Sequence, residues 1–513
     1  MSWLTNIIKV ILGSANPQSG KKAASTKMSS RSSGASQSVT GYQANGRLAN
    51  EVTRDSPPMA SSTPSSEDVV KDNRDEEIQK PVHGGEMAMN LNRAEISVLV
   101  PEFKGDRDAG FTNRVIETLK TAKMLEIAAG EISLNSPGEL PSMSKLVAFQ
   151  SEARVILEDK NADLMIYGEV LRNGLRLRMI SSVVPPEGRP DEFGFSDSLL
   201  IPHNFGAELA NLIYASVLAA ALPAKIKHRK TLAPYLIGAA QQSMKLLEAL
   251  PEGLDVEQIG TIYTYLGVTS ACMWRLQNKS AGLTAAVTAY EKATREGPKE
   301  LSPLVMAELK IRLGVALQEL SAIKDDADMF EDALDAFETV TSALNPNSHA
   351  REWGLAYICL GMAFLARGNK EVAVDDCDRA NSAFDAALKV FTKEKDLTRW
   401  LEVMTLKGTA LMTSGTINAG VRELEEAAGV LREVLVARNR VTQPSLWAQT
   451  SNGLGSAVFA LAKRTQNKDS LNEAIACFDG ALSVYEELRQ TVAIGIVRKN
   501  QQRAYRLRET MSG

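Results

Sequence analysis

The chain has 513 residues, with 58 Lys and Arg against 62 Asp and Glu, a formal net charge of −4, and 44% apolar residues. These values lie in the range of soluble globular proteins, with about two to four folded units at roughly 100–200 residues each, and they exclude a whole-chain basic nucleic-acid binder. Four Cys and four His exclude a disulfide framework and leave little for a multi-ligand metal site. No apolar run reaches the roughly 18–20 residues needed to cross a bilayer as a helix.

Residues 1–12 predict a short amphipathic helix. Trp3, Leu4, Ile7, Ile8 and Ile11 share one face, while Ser2, Thr5, Asn6 and Lys9 lie mostly opposite. Twelve residues span about 18 Å at about 1.5 Å each, too short for a bilayer. Such a helix suits an anionic membrane surface or a groove on a partner. A frayed terminus and a cleaved secretory signal are the alternatives. Residues 1–50 carry six basic side chains and no acidic ones, so the rest of the chain carries −4 minus +6, or −10. Ser14 to Ser66 holds 14 Ser in 53 residues. Residues 13–93 are therefore expected to be a disordered tail and linker, too poor in apolar side chains to offset the entropy of ordering.

An α/β domain is expected over 94–225. Ile96–Val100 reads as a buried strand ending at Pro101. Phe111–Met124 and Leu146–Leu157 carry helical stripes. Asp163–Leu171 and Leu175–Ile180 read as strands around Asn173-Gly174, a sequence that favours a type I′ hairpin turn. The second of these alternates apolar and basic residues, so Arg176 and Arg178 are expected on a wet face. Ser198–Pro202 suggests a further strand and Phe205–Leu222 an apolar helix. The whole predicts a mixed sheet with helices packed on it. The first strand with its Pro-x-Phe end, the helix, Ala162-Asp163-Leu-Met-Ile-Tyr-Gly168 and Leu175-Arg-Leu-Arg178 resemble the TolB amino-terminal-like domain, with long inserts at 130–142 and 183–197. That resemblance implies an accessory or interaction domain and carries over no catalytic residues. The loop after the first strand offers Lys104 and Arg107 as a weak anion-binding pair, since ligands of open α/β sheets gather at strand carboxyl ends and helix amino ends. A cryptic enzyme would instead need Glu102, Asp106 and Asp163 in one pocket with raised carboxyl pKa values.

After residue 226 the chain repeats. Leu266-Gly267, Leu313-Gly314, Leu360-Gly361, Lys407-Gly408 and Leu454-Gly455 recur every 47 residues. Tyr290, Phe337, Phe384, Leu431 and Phe478 recur with the same spacing, as do Ala286, Ala333, Ala380, Ala427 and Ala474. Trp353, Trp400 and Trp447 form a further register. Fixed periods of 20–50 residues mean stacked supersecondary units. Each unit is expected to be two antiparallel helices brought close by the Gly and the Ala, with the aromatic filling the space between. Ser470–Glu473 and Asp328–Glu331 match capping boxes for second helices. Amphipathic helices at Leu232–Leu250, with Pro234 in its first turn, and at Val492–Arg508 are expected to flank the array.

The Leu-Gly, Ala-x-x-x-Phe and following Ala or Val positions resemble the tetratricopeptide repeat over about 255–490. The usual unit is about 34 residues, so these carry longer helices, longer turns or both. The resemblance implies a helical solenoid with a groove lined by first helices. Counting from each Gly, the groove positions are Thr264, Val268 and Ala271, then Ile311, Val315 and Gln318, then Ile358, Met362 and Leu365. Thr405, Thr409 and Met412, then Asn452, Ser456 and Phe459, complete the set. This lining is apolar to neutral and suits an apolar or amphipathic helix better than a carboxylate tail. Cys272, Cys359, Cys377 and Cys477 are expected to be buried small apolar residues. No phosphate loop, dinucleotide fingerprint or metal-protease motif occurs.

The sequence therefore predicts an α+β multi-domain protein: a mixed-sheet α/β domain at 94–225, then an all-α solenoid at 226–513. Its expected work is non-enzymatic, as a scaffold or adaptor for a protein or peptide partner. It is expected to have no cofactor, no metal and no nucleic-acid partner. The expected location is the cytoplasm, with residues 1–12 and the basic tail offering attachment at the inner-membrane surface. The alternatives are a ligand-sensing regulator with a small-anion site in the α/β domain and an enzyme in that domain.

Overall fold

A computed structural model describes residues 95–511 except 131, 133, 135, 139–141, 185 and 186. The helix expected at residues 1–12 and the tail and linker at 13–93 lie outside the described residues. The fold is α+β, a small mixed sheet followed by a long run of helices.

The strands are β1 (Ile96–Pro101), β2 (Leu125–Gly130), β3 (Leu164–Leu171), β4 (Gly174–Ser181) and β5 (Leu199–Ile201), in the order β2-β1-β3-β4-β5. β1 pairs in parallel with β2 and β3, and the β3-β4-β5 side is antiparallel. Three helices cover the sheet: α1 (Gly110–Lys120), α2 (Met143–Asp159) and α3 (Ala207–Ala221). Alternation along the strands divides the packing. Val98, Ile166, Leu175 and Leu177 pack with Val115 and Leu119 of α1 and Leu212 and Ile213 of α3. On the other face Leu99, Met165, Tyr167 and Ile180 pack with Phe149, Ala153 and Leu157 of α2.

The hairpin forms where expected, but its turn differs. Leu171 pairs with Gly174, so the two-residue loop is Arg172-Asn173, and neither residue has a positive φ. Gly174 is there for close approach instead: a Cβ on it would lie 2.1 Å from the Ile201 carbonyl oxygen of β5. The wet face expected for β4 is also corrected. Arg176 and Arg178 are both buried, because α2 covers only part of that face and the rest meets the helical run. Arg176 lies 3.9 Å from Glu169 and 3.3 Å from Glu257, and Arg178 donates to the Ser196 and Asp197 carbonyls.

α4 (Arg229–Ser243) leads from the sheet to five helix pairs. Pro234 sits in its second turn, one turn later than expected. First helices are α5 (Val256–Gln277), α7 (Pro303–Lys324), α9 (Ala350–Glu371), α11 (Leu397–Ile417) and α13 (Pro444–Thr465). Second helices are α6 (Ser280–Glu296), α8 (Ala327–Ala343), α10 (Val374–Leu388), α12 (Val421–Ala437) and α14 (Lys468–Glu487), and α15 (Thr491–Thr510) closes the run. Both series start every 47 residues. The surplus over a shorter repeat lies in the helices, since the first helices run to 22 residues while two- or three-residue turns join each pair. Those turns repeat a left-handed residue at Asn278, Asp325, Val372, Ala419 and Gln466.

Each helix packs on the next, and α7, α9, α11, α13 and α15 also touch in series. Gly267, Gly314, Gly361, Gly408 and Gly455 face Tyr290, Phe337, Phe384, Leu431 and Phe478 of their own pairs. A Cβ on any of them would lie 2.2–2.7 Å from that side chain. The recurrent Ala residues are fully buried. Caps fall earlier than expected. Asp326 accepts from Met329 N and Asn467 from Ser470 N, so the caps lie ahead of both expected boxes. A reciprocal box does occur at Asp255 and Gln258. Asn173 of the hairpin donates to Asp255, and Gln258 donates to the Asn173 carbonyl, so the hairpin turn docks on the start of α5. One hydrophobic core runs through α3, α4 and α5 without a break at residue 226.

Candidate functional site

The first helices carry the positions expected to line a groove. Ile311, Val315 and Gln318 of α7, Ile358, Met362 and Leu365 of α9, Thr405, Thr409 and Met412 of α11, and Asn452 of α13 are all buried. Phe459 is half-buried, with the Arg503 guanidinium of α15 5.7 Å from its ring centre. In the first pair Val268 and Ala271 are buried and Thr264 is half-buried, as is Ser456 of α13. The Thr405, Thr409 and Thr413 hydroxyls each donate to the carbonyl four residues earlier, which satisfies them within α11.

A different set of first-helix residues meets a segment of the chain itself. Between β4 and β5, residues 187–198 form a strap that runs against α5, α7, α9 and α11. On α5, the Arg275 guanidinium lies 2.6 Å from Asp191, the Cys272 thiol donates to the Asp191 carbonyl, and Tyr265 packs on Phe193 with ring centres 4.7 Å apart. Tyr290 of α6 donates to the Pro190 carbonyl at 2.5 Å. On α7, Arg312 grips Asp197 through two bonds of 2.5 and 2.8 Å. Glu308 accepts from the Phe195 amide at 2.9 Å and from the Ser196 amide and hydroxyl. On α9 and α11, Arg351 and Arg399 both hold Glu187. From the sheet side, Gln150 of α2 donates to the Phe195 carbonyl.

Burial shapes the charges here. Burial opposes the Arg312 cation, but Asp197 outweighs it and raises the pKa. Burial likewise opposes the Asp191 carboxylate, and Arg275 and Arg189 outweigh it and lower the pKa. Other carboxyls lack enough cations. Burial, then Asp191, pushes Glu192 up to about 8, and burial, then Asp197, pushes Glu308 up to about 7. Burial also raises Glu352 and Glu319. A cleft of about 60 Å³ opens beside the strap, bounded by Met143 and Gln150 of α2, Gly188 and Phe193 of the strap, Glu308 and Ile311 of α7, and Glu352 and Leu355 of α9.

The α/β candidates do not assemble. Lys104 lies 3.9 Å from Glu169 and is mostly exposed, as is Arg107, while Asp106 between them is buried and accepts from the Thr112 amide and hydroxyl. Asp163 lies at the amino end of β3, where it accepts from Ser97 N and pairs with Lys225 at 2.9 Å. Glu102 and Asp106 follow the carboxyl end of β1. Since β1 and β3 are parallel, these acids sit at opposite ends of the sheet. Cys272, Cys359 and Cys377 are buried and Cys477 is half-buried, with no disulfide. Among the described residues no group of three or more His, Cys, Asp or Glu is placed to hold a metal ion, and no single helix is long and apolar enough to cross a membrane.

The strap contacts have no local signature in sequence. The one available signal was charge at first-helix positions in an otherwise neutral lining: Glu308, Arg312, Arg351 and Arg399 are complementary to the acids and bases of 187–197. In comparisons with known proteins, no family model and no curated sequence matches the chain.

Proposed function

We propose that the helix pairs form a solenoid of tetratricopeptide type and that the protein is a non-enzymatic scaffold, holding a protein or peptide partner along its first helices. The observation that supports this most is the strap. A segment of about twelve residues with no helix or strand of its own already lies across successive first helices, held by backbone and side-chain contacts of the kind a bound peptide makes. In this reading the sheet, of TolB amino-terminal type, fixes the strap over the first pairs, and the later pairs, around Ser456, Phe459 and Arg503, take the partner. The amino-terminal segment tethers the assembly to an anionic membrane surface.

The test uses the full chain. A photo-crosslinker at Ser456 should trap a discrete protein, and Phe459→Asp should abolish trapping with unchanged helicity by circular dichroism. Trapping that survives Phe459→Asp would overturn this assignment of the surface. Flotation with phosphatidylserine vesicles, with and without residues 1–12, tests the tether separately.

A further inference from the structure

Glu352, on α9, is 3% exposed, and its Oε1 has no hydrogen-bond partner among the described residues. A buried carboxylate oxygen without a donor costs free energy and calls for an explanation. The surroundings deepen the deficit. Glu187 and Glu308 both lie near enough to Glu352 to influence or feel its charge. The cations in reach are engaged elsewhere: Arg312 on Asp197, Arg189 on Asp191, Arg351 and Arg399 on Glu187. Arg351 and His349 act on the Glu352 carboxyl through space and donate nothing to Oε1.

Glu352 lines a cleft whose size matches a particular ligand shape. Its free space is about 60 Å³. A water occupies roughly 10–15 Å³ on that measure, so the cleft holds about four waters or a head group of about four heavy atoms. Its walls carry apolar side chains, Phe193, Ile311 and Leu355, beside the acids and beside Arg189 and Arg312. An anion would face Glu187 and Glu352, and Arg189 and Arg312 are already taken up by Asp191 and Asp197. A neutral polar group would leave the charge unmatched.

We propose that this cleft binds one alkyl-guanidinium or alkyl-ammonium group, with the cationic head on Glu352 and the stem along Ile311, Leu355 and Phe193. The group comes either from an Arg or Lys side chain of a partner peptide or from a free small amine. Only the first source rests on the scaffold reading above; the site itself does not. Binding supplies a donor to the Glu352 carboxyl, which has none at Oε1.

Titration calorimetry on the full chain with n-butylguanidinium and with its neutral isostere n-butylurea tests the site. The cation should bind one to one and at least about tenfold more tightly than the urea, as expected for a charge-assisted contact. Glu352→Gln should erase that preference, and Leu355→Trp, which fills the cleft, should abolish binding. Equal binding of the two probes, absence of cation binding, or a preference that survives Glu352→Gln would overturn the proposal. If Glu352→Gln fails to fold, undiminished binding in Leu355→Trp overturns it instead. A blocked Ala-Arg-Ala peptide separates the sources. Binding at least as tight as butylguanidinium assigns the site to a partner side chain. Binding of butylguanidinium alone keeps the site, assigns it to a free amine, and counts against partner capture there.

Discussion

The first three helix pairs and the last two share one repeat but solve burial differently. Under the strap, the first helices carry Arg275, Glu308, Arg312 and Arg351, matched by acids and bases of 187–197. Further along, α11 touches the strap's first residue through Arg399 on Glu187, and α11 and α13 present Thr405, Thr409, Met412 and Asn452, whose polar groups bond to their own backbone, to Asn500 or, for Thr405, to the buried Arg438 guanidinium. The packing between paired helices is common to both regions. What differs is whether another part of the chain lies across the first helices, and ion pairs to that segment appear where it does. The repeat therefore fixes the frame, and the first-helix chemistry adapts to its occupant.

The sharpest way to break this contrast is Arg312→Ala. It leaves Asp197 buried without its cation and should cost about 3–5 kcal/mol in denaturant unfolding. Arg312→Met with Asp197→Leu should recover most of that loss, because a well-packed apolar pair replaces two desolvated charges. The second break is pH. Glu308 titrates at about 7 when folded against 4.5 ordinarily. Between those values the folded chain holds a proton that the unfolded chain has released, so stability falls as pH rises from about 4.5 to 7, by up to about 3 kcal/mol from this group. Glu192, pushed to about 8, extends the window upward. Thermal melts across pH 5–8 should show the decline, and Glu308→Gln should flatten its lower part.

Two smaller tests address what the regions share. Gly361→Ala drives a methyl against the rigid Phe384 ring at 2.7 Å, whereas Gly408→Ala meets the adaptable Leu431 at the same distance. The first should cost about 1–3 kcal/mol and the second less. Val372 occupies the left-handed turn position with φ 58°, where its equivalents are Asn278, Asp325, Ala419 and Gln466. Replacing this β-branched residue by Asn should stabilise the protein by about 0.5–1 kcal/mol, read as a raised Tm.

Much of the frame was legible in the sequence. Stacking imposes the same residue at the same place in every pair, so the Gly, Ala and aromatic series mark helix after helix. Four of the five strands were legible from β-branched runs and breaks at Pro101 and Asn173-Gly174, while β2 at Leu125–Gly130 was not read, and the helix expected to run to Met124 ends at Lys120. The failures share a cause. The alternation at Arg176 and Arg178 describes a strand with one free face, and it cannot register a cover supplied by α5 and the strap, about 20–80 residues downstream. Residues 187–198 lack any periodicity, and their Gly, Pro and charges read as an ordinary loop. Their first-helix partners lie 72–212 positions away, beyond any local pattern. The caps at Asp326 and Asn467 show a smaller version of this, since several polar residues precede each second helix and only geometry selects among them.

The strap also changes how any rival must compete. Because both its ends are anchored in β4 and β5, it is presented to the first helices at an effective concentration on the order of millimolar. A free peptide of similar intrinsic affinity, at micromolar concentration, would win those positions only about once in a thousand encounters. Exchange there requires first weakening the tethered occupant, and the Arg312–Asp197 and Arg351–Glu187 clasps are where that leverage is concentrated.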